Sequence, residues 1–85
     1  MNDKNVHQIV TRVIQRVYSD SGRTPRNISD DDTFTDTLQL DSLDLAVMVV
    51  GLEQELGVDP FRNGASPVRT VGELVALYEA ACNSA

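Results

Sequence analysis

Six consecutive apolar residues, Leu45-Ala46-Val47-Met48-Val49-Val50, lie between acids on both sides, Asp41 and Asp44 before and Glu53 and Glu55 after. Periodicity alone lets such a run pass for a buried strand. The charged ends favour a helix from about Ser42 to Leu56, roughly 22 Å long. A helix that is apolar for six residues in a row cannot bury every side. If Leu45, Met48, Val49 and Leu52 turn inward, then Leu43, Ala46, Val47 and Val50 form an exposed apolar strip, and a strip of that kind marks a binding surface. The alternative is a core that wraps further around this helix.

The same segment opens on Asp41-Ser42-Leu43-Asp44. Asp41 can cap the helix by accepting a hydrogen bond from an orphan first-turn N–H, and Asp44 sits where the helix dipole favours negative charge. Ser42 is then an exposed first-turn residue whose hydroxyl points in a fixed direction. Serines at this position often do no more than start a helix. A phosphodiester built on that hydroxyl, however, would meet favourable backbone dipoles.

The rest of the chain reads as further helices joined by long connections. Val6, Ile9, Val10, Val13, Ile14 and Val17 fall at helical spacing over Asn5 to Tyr18, with Asp3 or Asn5 as cap. So β-branched a helix needs packing to form. Turn formers follow from Ser19 to Asn27, including Pro25, and a long loop runs on to Leu40, pinned by Ile28, Phe34 and Leu38, with a short helical turn starting at Ser29 or Asp30. Gly57 ends the second helix, Val58 to Gly64 reads as a short irregular helix or turn, and Thr70 with Glu73 forms a capping box for a last helix. Val71, Leu74, Val75, Tyr78 and Ala81 make its inward stripe, with Tyr78 a packing ring whose hydroxyl is wet. The expectation is an all-α fold: a four-helix bundle of three long helices and one short one, with a long loop between the first and second.

Composition narrows the function classes. The 85 residues suit a single domain over residues 1–85, expected to be a monomer. No apolar run approaches a membrane span and no secretory leader precedes the first helix, so a cytoplasmic location is expected. The net charge is −6, and Asn27 to Phe61 holds nine acids and no Lys or Arg, a surface that repels nucleic acid and steers basic protein partners towards itself. Asp30, Asp32 and Asp36 match three ligand positions of a calcium loop, but Phe34 and Thr35 stand where a ligand and the turn glycine belong. His7 and Cys82 are the only residues of their kinds and lie at opposite ends of the chain, so no His/Cys metal cluster and no Cys–His nucleophile can be assembled. Without a base beside it, the Ser42 hydroxyl is a feeble nucleophile; the chain is not expected to be an enzyme, and any chemistry at Ser42 must be done by another protein.

The stretch Thr33 to Asp44, with Phe34, Leu38 and the Asp41-Ser42-Leu43 triplet, resembles the phosphopantetheine attachment region of acyl carrier proteins. The resemblance continues through Glu53-Gln54-Glu55-Leu56-Gly57-Val58 and Thr70 to Tyr78, and covers roughly residues 5 to 80. It implies that a phosphopantetheinyl transferase, using magnesium and coenzyme A, installs a 4′-phosphopantetheine arm on Ser42, whose thiol carries acyl groups as thioesters between synthase active sites. It further implies that the second helix is the recognition helix, with Asp41, Leu43, Asp44, Ala46, Val47, Val50 and Glu53 meeting partner enzymes: the transferase, an acyl-loading ligase or acyltransferase, and a ketosynthase or other synthase component.

Two departures stand out. Gln39 replaces the Gly common before the triplet, and Val47 replaces a partner-binding Glu typical of fatty acid carriers. The second points to a free-standing carrier of a polyketide-type or other specialised pathway. Primary fatty acid synthesis, aminoacyl loading and an unmodified acidic interaction module are the alternatives.

Overall fold

The computed structural model describes residues 5–83, apart from 25, 63 and 66. Three helices carry the fold: α1 over Val6–Asp20, α2 over Ser42–Leu56 and α3 over Val71–Asn83. Each starts on a local signal. The Asn5 side chain accepts from the Gln8 N–H at 3.1 Å and caps α1, while Asp3 lies outside the described residues. Thr70 and Glu73 exchange side-chain to backbone hydrogen bonds at the start of α3, 3.2 Å from the Glu73 N–H and 3.3 Å from the Thr70 N–H.

Packing centres on α1, which lies against both α2 and α3. Its buried face is Val6, Ile9, Val10, Val13, Ile14, Val17 and Tyr18, the spacing the apolar pattern calls for. These side chains meet Met48, Leu52 and Leu56 of α2 and Val71, Leu74, Val75 and Tyr78 of α3 in one core. Burying that stripe is what holds so β-branched a helix, since propensity does not. Ala81, expected in the inward stripe of α3, and Leu77 beside it are only partly buried.

The expected four-helix bundle does not form; among the described residues the fold is all-α with three helices. The segment expected as a short irregular helix or turn after α2 forms turns among its described residues, so the fourth, short helix of the bundle is missing there. Gly57 closes α2 in the left-handed conformation, φ 76°, with its N–H on the Glu53 carbonyl. Beyond it, Arg62 N–H bonds the Asp59 carbonyl at 3.2 Å and Gly64 N–H the Phe61 carbonyl at 3.1 Å, with Gly64 at φ 95°. The Asp59 carboxylate also accepts that Arg62 N–H at 3.2 Å, and Gly64 in the left-handed region leaves helical geometry before a further turn can form.

The long loop between α1 and α2 is pinned by more than its apolar side chains. Phe34, Leu38 and Leu40 are buried and Ile28 packs against them. In addition, Thr33 and Thr70 form an antiparallel bridge, Phe34 N–H bonds the Arg69 carbonyl, and Val71 and Gly72 N–H bond the Asp32 and Asp30 carbonyls. The loop thus supplies acceptors for first-turn N–H groups of α3, which have none within their own helix. Ser29 to Asp32 is a single turn closed by the Asp32 carboxylate on the Ser29 N–H. Gln15 of α1 holds the loop from the other side by bonding both backbone groups of Arg26.

Candidate functional site

Ser42 is the first residue of α2, exposed, and set by a reciprocal cap beneath it. Asp44 N–H donates to the Asp41 carboxylate at 2.8 Å, and Asp41 N–H donates to the Asp44 carboxylate at 3.2 Å. The Asp41 carboxyl lies below its ordinary value, chiefly because it accepts the Asp44 N–H, with Arg23 adding a smaller favourable charge. Asp41, itself exposed, therefore keeps a negative charge next to Ser42.

Asp44 differs from the other residues grouped with it as partner contacts. Only 9 % of it is exposed, and its carboxylate is spent on the Asp41 N–H and on the Arg23 guanidinium at 3.1 Å. Arg23 in turn lies over the Tyr18 ring, 5.5 Å from its centroid, and the Tyr18 hydroxyl donates to the Leu38 carbonyl at 2.7 Å. Neither Arg23 nor Tyr18 stands out in the sequence. The reciprocal Asp41/Asp44 cap is legible there as an acid three residues after a capping acid, but nothing local says which cation covers it.

Between Leu38 and Asp41 the chain turns sharply. Gln39 has φ 56°, which a side chain adopts at a cost, and this is the position where the sequence departs from the expected Gly. Leu40 is buried beside it, its N–H on the Phe34 carbonyl at 2.8 Å.

The outward strip of α2 takes the arrangement that its apolar run demands. Met48 and Leu52 are buried, Leu45 and Val49 partly so, and Leu43, Val47 and Val50 are 71 %, 46 % and 55 % exposed. Ala46 is exposed with them. Glu53 lies at the far end, 3.5 Å from the Arg62 guanidinium. Two concavities flank this strip. One of about 300 Å³ opens between α2 and the loops and is lined by Phe34, Leu45, Met48, Val49, Phe61 and Leu74 among others. The other, about 360 Å³, is a groove between α1 and α2 over Gly51. Among the described residues no group of three or more His, Cys, Asp and Glu side chains could hold a metal ion, and no helix is long and apolar enough to cross a membrane.

Comparison with known proteins decides the family. The phosphopantetheine attachment site family matches residues 11–77. The chain belongs to the acyl carrier protein family. It is 34 % identical to the acyl carrier proteins of Sinorhizobium fredii and Rhizobium meliloti over 73 residues, 86 % of this chain and 94 % of each relative. The acyl carrier protein of Chlamydia muridarum is 32 % identical over 58 residues, 68 % of this chain and 75 % of the relative. No solved structure gives a significant match. As an acyl carrier protein the chain is a non-catalytic carrier with a covalently attached 4′-phosphopantetheine, and it works through synthase and transferase enzymes.

Proposed function

We propose that Ser42 bears the 4′-phosphopantetheine arm, and that residues 1–85 act as one domain shuttling thioester-linked acyl intermediates in a polyketide-type or other specialised pathway. The observation that carries the first part is the exposed Ser42 hydroxyl at the start of α2, held by the Asp41/Asp44 cap. A phosphodiester there sits against first-turn N–H groups and the positive end of the helix dipole. The arm's thiol supplies the thioester chemistry; the chain's residues present and orient it.

Partner docking falls on Leu43, Ala46, Val47 and Val50, with Asp41 and Glu53 as charged ends and Asp44 holding the helix start from below. Exposed Val47 makes this face less ionic than a face with Glu at that position, which supports a specialised pathway over primary fatty acid synthesis. Its partners on this reading are the transferase, an acyl-loading ligase or acyltransferase, and a ketosynthase. The 300 Å³ pocket beside Met48 and Phe61 is apolar enough to shelter part of a carried chain.

Intact mass after incubation with a phosphopantetheinyl transferase, magnesium and coenzyme A tests the attachment. One phosphopantetheine on the wild type and none on Ser42→Ala is the expected result. An unchanged wild-type mass leaves an unmodified interaction module as the better reading. Mass spectrometry of the loaded protein from its host identifies the acyl group, and a plain fatty acyl chain would overturn the specialised assignment.

A further inference from the structure

We propose that Arg23 and Tyr18 are positioning residues for modification of Ser42: together they clasp both ends of the strained segment that leads into α2. This rests on the assignment of the arm to Ser42.

Five contacts make the clasp. At one end the Tyr18 hydroxyl donates to the Leu38 carbonyl at 2.7 Å, immediately before Gln39 at φ 56°. At the other, the Arg23 guanidinium holds the Asp44 carboxylate at 3.1 Å, and that carboxylate accepts the Asp41 N–H. The two ends are joined because Arg23 lies on the Tyr18 ring and because its own N–H bonds the Tyr18 carbonyl at 2.8 Å. Gln39, Leu40 and Asp41 are thus bracketed by one pair of side chains at the C-terminal end of α1.

The arrangement serves direction rather than burial. Arg23 Nη1 is buried with no hydrogen-bond partner among the described residues, so the guanidinium gives up a hydrogen bond to hold this place. Gln39 in the left-handed region favours relaxation of the loop, and such relaxation would rotate Asp41 and with it the first turn carrying Ser42. The Ser42 hydroxyl must attack the pantetheine-bearing phosphorus of the coenzyme A pyrophosphate inside a transferase active site, forming the Ser42 Oγ–P bond as the pyrophosphate P–O bond breaks, 3′,5′-ADP leaves and the hydroxyl proton passes to a base of the transferase; a displacement of about 1 Å there costs up to ~100-fold in rate. Freeing either end of the segment therefore lowers the rate of the transfer step, while Ala46, Val47 and Val50, the part of the docking face beyond the first turn of α2, stay in place.

The test compares wild type, Arg23→Ala, Tyr18→Phe and Glu73→Ala, the last a control that removes the α3 cap far along the chain from Ser42. Steady-state modification by a broad-specificity transferase with coenzyme A is measured at a temperature where every variant is fully folded, across a range of salt. Arg23→Ala should lower kcat about tenfold with KM within about twofold and an unchanged salt slope. Tyr18→Phe, which keeps the ring under Arg23 and loses only the Leu38 contact, should lower kcat by a smaller factor. Glu73→Ala should be modified at the wild-type rate. An unaffected Arg23→Ala, a loss confined to KM that steepens with salt, or an equal loss in Glu73→Ala would each overturn the clasp alone. A wild-type protein that takes up no arm would instead remove the Ser42 assignment and this proposal with it.

Discussion

Gly51 faces Val13 across the α1–α2 contact so closely that a Cβ on Gly51 would stand 3.1 Å from a Val13 methyl. The missing side chain lets α1 approach α2 on one flank while Val47 and Val50 stay outward on the next. Gly51→Ala gains about 1 kcal/mol of helix propensity and loses about as much to crowding, so its stability should stay within about 1 kcal/mol of wild type. Gly51→Val gains less helix propensity and crowds Val13 further, and should destabilise by about 2 kcal/mol in urea unfolding.

Gln39 carries a left-handed backbone that only glycine adopts freely. Gln39→Gly removes a strain of about 1–2 kcal/mol and adds back about 0.5–1 kcal/mol of unfolded-chain entropy. A net gain of about 0.5–1 kcal/mol in denaturant unfolding is expected; a loss would mean that the Gln39 side chain contributes a contact of its own.

Asp41 makes the start of α2 sensitive to acid. Its folded carboxyl is held below the ordinary 3.8, so the cap contributes its full stability above that value and loses it as pH falls through the folded value. Stability measured from pH 6 downward should therefore fall below about pH 4, in part through this cap. Asp41→Asn, which can still accept the Asp44 N–H but does not titrate, should flatten that portion of the curve.

Tyr78 acts at the alkaline end. Its hydroxyl is fully buried with no hydrogen-bond partner among the described residues, contrary to the wet hydroxyl expected from sequence, and its ring meets Phe61 edge-on at 6.2 Å between centroids. Burial first, then the Asp59 and Glu53 charges, pushes its ionisation from 10.0 up to about 12. The neutral form is the one the fold favours, so this stability is complete below pH 10 and is lost as pH rises towards 12. Tyr78→Phe should abolish that part of the alkaline loss. At pH 7 it should stabilise the protein by about 1 kcal/mol, since an unsatisfied hydroxyl disappears from the core.

Val47 separates docking from folding. It is 46 % exposed, so Val47→Lys should move the melting temperature by no more than about 2 °C. Binding to the cognate synthase, measured by titration calorimetry, should weaken about tenfold, because a charge replaces the apolar centre of the strip. A large loss of melting temperature would place Val47 in the core.

The three helices, the caps at Asn5, Asp41 and Thr70, and the sides of α2 that stay outside were legible in the sequence because each is decided within about four residues, by hydrogen-bond reach or helical period. The same local pattern leaves 58–62 open between a short helix and a turn, and turns form because Gly64, at φ 95°, departs from helical geometry before a second turn can close. What only the tertiary structure decided lies between residues far apart in the chain. Arg23 covers the Asp44 carboxylate, Thr33 pairs with Thr70, and Gln39 takes a left-handed conformation between the buried Leu38 and Leu40. Such choices depend on which distant groups the packed helices bring into one volume, and no local pattern of residue types encodes that.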